Sequence, residues 1–229
     1  HTLPLFTKQS AELIDVLKTK TPDQIAALMH LSDNLSALNV ARYAAWARKF
    51  TAKNSKQAVL AFDGDVYGGL HAPSLNQAQL EWAQDHLRIL SGLYGVLRPL
   101  DWMQPYRLEM GTALATTKGK NLYQFWGAQI AQYLNAETAQ DKEPIVVNLA
   151  SEEYFKAVDT KVLRARVVTC AFEEFKGGKY KVVSFFAKRA RGLMARYAVQ
   201  KKITSVKKLE TFNAEGYAFD SQASEADRL

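Results

Sequence analysis

The chain has 229 residues, 48% of them hydrophobic, and a formal charge of +7. This length and apolar content suffice for a substantial core, and a single domain over residues 1–229 is the simplest expectation. No apolar run reaches the roughly 18–20 residues of a membrane span, no leader pattern opens the chain, and a lone cysteine excludes an internal disulfide framework, so a cytoplasmic setting without membrane attachment is expected.

Thr21-Pro22-Asp23-Gln24 reads as a helix start, with Thr21 as N-cap, Pro22 in the first turn and Gln24 closing a capping box. Leu13, Ile14 and Leu17 mark a helix before it, and Leu35, Leu38, Tyr43 and Trp46 mark one after it. Gln57–Phe62 has strand length and composition and ends in the turn-forming Asp63-Gly64-Asp65. A helix capped by Ser74 is predicted from about Leu75 to Leu90, ending at Ser91-Gly92. Helical spacing returns over Asn121–Asn135, and Ile145–Leu149 reads as a buried strand. Val167–Phe175 and Lys179–Phe186 flank Gly177-Gly178 as a β-hairpin. Ala187–Lys202 is then helical, with Lys188, Arg189, Arg191, Gly192, Ala195 and Arg196 on one side and Ala190, Leu193, Met194 and Tyr197 on the other. The expected fold is mixed α/β, with a helix-rich N-terminal part, a mixed sheet, a β-hairpin near 167–186 and a helix-hairpin-helix-like element near 75–104.

The charge is unevenly placed. Lys179 to Lys208 holds ten Lys or Arg and no Asp or Glu, and the remainder carries twenty basic against twenty-three acidic side chains. A field concentrated in one stretch suits a polyanion such as DNA, or else a solvated helix face.

Three constellations carry possible chemistry. In the first, Gly92 and Gly95, three apart, suggest a hairpin whose backbone N–H groups hold phosphate, or a glycine cap with a packed loop. Arg98, Arg107 and Glu109 extend it, the latter two as a recognition fork or an internal pair, and Tyr106 adds an aromatic surface. In the second, Asn148, Ser151, Glu152, Glu153, Tyr154 and Lys156 gather where a strand gives way to a helix, a common ligand position, although Ser151 equally suits an N-cap. Glu109 and Glu152 are the candidate acid and base, and Tyr67, Tyr106, Asn148, Ser151 and Tyr154 are candidate pocket residues. The third is the helix carrying Lys188, Arg189, Arg191 and Arg196, whose small central residues would let a phosphate backbone approach.

The four histidines do not cluster and Cys170 has no metal-ligand partner nearby, so no metal site and no cofactor are expected. Cys170 alternates with Val168 and Phe172 as a buried small hydrophobe would.

The segments FDGDVYGGL (62–70), LSGLYGVLRPLDWMQPYRLEMG (90–111), NLYQFWG (121–127), NLASEEYFKAV (148–158) and FFAKRARGLMARY (185–197), with Glu215-Gly216-Tyr217, make the chain resemble the YaaA family of bacterial peroxide-stress proteins. That family opens with a short apolar strand and a Ser-Pro-Ala-Lys-Thr-like motif, and this sequence begins beyond that point. The resemblance implies a cytoplasmic protein that helps bacteria survive hydrogen peroxide, associated with limiting iron-driven oxidative damage. It also implies DNA binding through a helix-hairpin-helix and a basic cleft. The expected function is therefore structure-selective, sequence-indifferent binding to duplex or branched DNA. The alternative is an enzyme acting on a nucleotide or damaged base in a pocket lined by Arg107, Glu109 and Glu152.

Overall fold

The computed structural model describes residues 1–229. Its helices are α1 (Thr7–Lys18), α2 (Pro22–Met29), α3 (Asp33–Ala45), α4 (Ala58–Ala61), α5 (Asp65–Leu70), α6 (Gln77–His86), α7 (Leu122–Trp126), α8 (Gln129–Glu137), α9 (Glu152–Phe155), α10 (Ser184–Lys201) and α11 (Val206–Leu209). Its strands are β1 (Lys56–Gln57), β2 (Ile89–Ser91), β3 (Gly95–Leu97), β4 (Trp102–Met103), β5 (Ile145–Asn148), β6 (Arg166–Thr169), β7 (Glu174–Phe175), β8 (Tyr180–Lys181), β9 (Asn213–Ala214) and β10 (Tyr217–Ala218). The fold is mixed α/β, but the expected mixed sheet is replaced by five separate pairs, β5–β6 parallel and β1–β4, β2–β3, β7–β8 and β9–β10 antiparallel. Strands of two to four residues are too short to assemble a wide sheet.

The chain divides into two compact units. The first comprises His1–Ala61, Arg88–Tyr133 and Glu152–Leu163. Its helix α2 carries the predicted capping box, Thr21 Oγ1 accepting from Gln24 N at 3.3 Å and Gln24 Oε1 accepting from Thr21 N at 3.0 Å. Leu13, Ile14 and Leu17, and farther along Tyr43 and Trp46, are buried as their spacing predicts, whereas α3 turns Ser36 and Asn39 inward and leaves Leu35 and Leu38 exposed. This reversal is sustainable because Ser36 and Asn39 donate to carbonyls of their own helix, Ser32 O and Leu35 O.

Gln57–Phe62 is not a strand. Pairing stops after Lys56↔Met103 and Gln57↔Trp102, and Ala58–Ala61 coil into one helical turn, its first amides donating to Asp101 O and Pro99 O. Nor is Leu90–Pro99 part of a helix-hairpin-helix. Ile89–Ser91 and Gly95–Leu97 form an antiparallel β-hairpin, buried almost throughout, and the next helix begins at Leu122. Trp126 explains the burial: its ring packs on Gly95 and its Nε1 donates to Gly92 O at 3.0 Å. The predicted 121–135 helix is divided into α7 and α8 around Gly127.

The second unit comprises Phe62–Leu87, Leu134–Ser151 and Arg164–Leu229. Here α6 is capped by Asn76, not Ser74, through a reciprocal capping box with Gln79, and it ends at His86. The parallel pair β5–β6 runs from Ile145↔Arg166 to Asn148↔Thr169. Cys170, Phe172, Ala187, Ala190, Met194, Leu209 and Phe212 form a hydrophobic cluster beside it, to which α10 contributes the apolar side that its sequence predicts.

Candidate nucleic-acid interface

Helix α10 begins at Ser184, three residues before its predicted start, and ends with Lys202 in a left-handed conformation. Ala187, Ala190 and Met194 face the cluster just described. The other side is not the open basic face that its small residues suggested. Helix α5 crosses there, so that a side chain on Gly192 would meet the Val66 carbonyl and one on Gly69 would meet the Arg189 carbonyl. The small residues bring two helices together and leave no room for a phosphate backbone.

The arginines of α10 are largely spoken for within the unit. Arg189 grips Glu215 with both ends of its fork, Nε to Oε2 at 2.6 Å and Nη2 to Oε1 at 2.5 Å. These hydrogen bonds first, and the opposite charges with them, raise the guanidinium pKa and lower that of the carboxyl. Arg196 Nη1 donates to Leu70 O at 3.0 Å, His71 O at 3.2 Å and Ser74 Oγ at 2.8 Å, closing the C-terminus of α5. Arg191 is half-buried, its Nε has no hydrogen-bond partner, and burial lowers its pKa.

Lysines supply the exposed charge. Lys176, Lys179 and Lys181 on the β7–β8 hairpin, and Lys188 near the start of α10, are exposed, and none makes an ion pair. At the other end Lys201, Lys202, Lys207 and Lys208 are likewise exposed. Thirteen residues of helix from Lys188 to Lys201 put about 20 Å between the two groups, the length of about six base pairs of duplex.

The predicted hairpin is real and short, because Val167–Thr169 joins β5 instead and Ser184–Phe186 joins α10. Phe175 pairs with Tyr180 and Glu174 with Lys181, and Gly177 and Gly178, at φ 68° and 79°, turn the chain. Phe175 and Tyr180 are 66% and 67% exposed, and Phe185 and Phe186, in the first turn of α10, are 60% and 49% exposed. None of the four, nor the three hairpin lysines, stood among the sequence candidates. Their signal is the alternation FKGGKYK, in which a turn this tight leaves its aromatic rings little chain to bury against.

The remaining candidates of the first unit, Glu152 apart, are drawn into packing and internal pairing. Gly92 and Gly95 lie buried under Leu108 and Trp126, so their amides do not form a phosphate cradle. Arg98 is held by the buried Asp101, with Nη2 to Oδ1 at 3.0 Å. Tyr106 exchanges a 2.6 Å hydrogen bond with Ser91 and packs edge-on against Tyr94. Arg107 and Glu109 pair at 2.8 Å, while Arg107 Nε is buried without a partner and Tyr43 donates its hydroxyl proton to the Arg107 carbonyl. It is Glu153, not Glu152, that reaches this segment, accepting from Gly111 N at 2.8 Å. Tyr154 joins the same group: burial first, then Glu153 and Glu109, push its hydroxyl up to about 12. Glu152 is exposed in the first turn of α9.

In the second unit, Tyr67 stacks on Phe62 at 5.1 Å. Asn148 Oδ1 accepts from Ala150 N at 2.9 Å and its Nδ2 donates to Thr169 Oγ1 at 3.4 Å, while Ser151 is half-buried. Cys170 is buried, and burial pushes its thiol up to about 11, as a packing residue requires and a reactive thiolate does not. The structure holds no cluster of three or more His, Cys, Asp or Glu suited to a metal ion, and no helix is long and apolar enough to cross a membrane.

Comparison with known proteins adds a family. Residues 1–223 match the family described as "Peroxide stress protein YaaA". The chain is 73% identical over all its 229 residues to a UPF0246 protein of Polaromonas sp. strain JS666, covering 89% of that protein. It is 68% identical to one from Bordetella petrii and 63% to one from Bordetella pertussis, again over its full length and covering 90% and 89% of them.

Proposed function

The chain belongs to the peroxide stress protein YaaA family, and on that premise we propose that it binds the DNA backbone through the lysines at the two ends of α10, as part of the response to peroxide. The observation that carries this reading is the ten basic and no acidic side chains from Lys179 to Lys208, with the lysines exposed and unpaired in two groups about 20 Å apart along the helix. Lysine ammonium groups engage phosphates as mobile point charges, so the binding is salt-sensitive and indifferent to sequence.

The alternative, an enzyme built on Arg107, Glu109 and Glu152, has less support. Arg107 and Glu109 neutralise each other, and Glu152 is exposed while its neighbour Glu153 makes the contact with Gly111.

Fluorescence anisotropy with a labelled duplex tests the proposal. Joint replacement of Lys179, Lys181 and Lys188 by alanine is expected to weaken binding by about tenfold or more at low salt, and so is joint replacement of Lys201, Lys202, Lys207 and Lys208. A parent protein that does not bind duplex, or lysine variants that bind as the parent does, would sink the reading.

A further inference from the structure

We propose that the β7–β8 hairpin and the first turn of α10 form a stacking platform for unpaired nucleotides, so that the chain prefers single-stranded or locally opened DNA to regular duplex. This rests on the backbone-binding reading above and adds what the bases meet.

Four aromatic rings within twelve consecutive residues stand in solvent: Phe175, Tyr180, Phe185 and Phe186. Rings of this size are ordinarily buried, and a cluster of them left exposed marks an interaction surface. They do not satisfy one another by stacking. Phe175 and Tyr180 are tilted by 59° at 5.2 Å, and Phe185 and Phe186 meet edge to face at 75° and 5.6 Å. Each pair therefore leaves ring faces open to a third planar group, and every nucleobase has one.

Charge selects the partner. Lys176, Lys179 and Lys181 carry the polar face and the tip of the hairpin, and Lys188 follows one turn into α10. The two acids at the base of the hairpin are already occupied, Glu173 by Arg228 at 2.5 Å and Glu174 by the hydroxyl of Tyr217. Rings and lysines take opposite faces of this two-stranded hairpin, so a single strand crossing its edge stacks bases on one face while its phosphates meet the ammonium groups of the other. A second copy of the chain docked here would set lysine against lysine. A membrane-inserting tip would not need the basic run to continue along α10 and α11 as far as Lys208. A regular duplex offers phosphates to the lysines but keeps its base faces stacked inside, so the rings distinguish opened from closed DNA.

The test uses the full chain, a labelled oligothymidine of about 20 nucleotides, a duplex of the same length and phosphatidylserine vesicles. The parent is expected to bind the single strand more tightly than the duplex. Replacing Phe175 and Tyr180 together by leucine, or Phe185 and Phe186 together, keeps apolar area and removes stacking. Each pair is expected to lose about tenfold or more in single-strand affinity while duplex affinity stays within about twofold. Tryptophan at Phe175 and Tyr180 should restore binding. Leucine pairs that bind the single strand as the parent does would overturn the proposal, as would equal losses on duplex, or tighter binding to vesicles than to the oligonucleotide. A parent that binds duplex and not single strand overturns the platform and leaves the backbone reading standing; a parent that binds neither removes both.

Discussion

Gly192 of α10 lies so close to the backbone carbonyl of Val66 in α5 that no side chain fits between them. Gly69 repeats the arrangement from the other helix, its missing side chain making room for the carbonyl of Arg189. The pair fixes where α10 runs and therefore where its terminal lysines stand. Gly192→Ala has to push the helices apart, at a cost of about 1–3 kcal/mol or more, and thermal unfolding should show Tm falling by several degrees. An unchanged Tm would mean that the crossing is looser than described.

Tyr94 offers a second stability test. Its buried hydroxyl accepts from Trp46 Nε1 at 3.0 Å and from the Gln104 amide at 3.1 Å. Tyr94→Phe removes one atom and orphans two buried donors, so a loss of about 2–4 kcal/mol in urea unfolding is expected. A loss below about 0.5 kcal/mol would show that both donors find other partners.

Alkaline pH should weaken the fold. Burial raises the Cys170 thiol from 9.0 to about 11 and the hydroxyls of Tyr94 and Tyr154 from 10.0 to about 12. In each case the folded state holds a proton that the unfolded chain releases. The stabilisation is thus complete below about pH 9 and falls as pH rises toward 11 for Cys170, and from 10 toward 12 for the tyrosines. Urea midpoints at pH 8 and pH 11 should differ in that direction. The same burial predicts that native Cys170 resists a thiol reagent at pH 8 and reacts once the chain is unfolded; rapid labelling of native protein would contradict it.

Arg189 and Lys188 are adjacent in sequence and opposite in expectation. Glu215 already neutralises Arg189, whereas Lys188 makes no ion pair. Lys188→Ala should therefore weaken duplex binding by several-fold, while Arg189→Ala should change it little and instead loosen the Glu215 segment. The reverse ranking in an anisotropy titration would show that the salt bridge opens on DNA.

Sequence reasoning succeeded where structure is local. The Thr21–Gln24 capping box, the Gly177-Gly178 turn and the apolar side of α10 each depend on residues within a few positions of one another. It failed where a distant partner decides the outcome. Gln57–Phe62 gives up its strand because its pairing with Trp102–Met103 ends after two residues, and the glycines of 92–95 sit in a β-hairpin covered by Trp126. The candidate arginines divide in the same way. Asp101, three residues after Arg98, was a visible partner, but nothing local announced that Arg196 would close α5 or that Glu215 would hold Arg189.

The most direct test of the backbone-binding claim is the salt dependence of duplex affinity. Each phosphate neutralised contributes about −0.9 to the slope of log K against log salt, so lysine groups at both ends of α10 predict a parent slope of about −4 or steeper. Replacing Lys179, Lys181 and Lys188 by alanine should flatten that slope by about 2 to 3. A slope near zero, or one that the three replacements leave unchanged, would contradict the account.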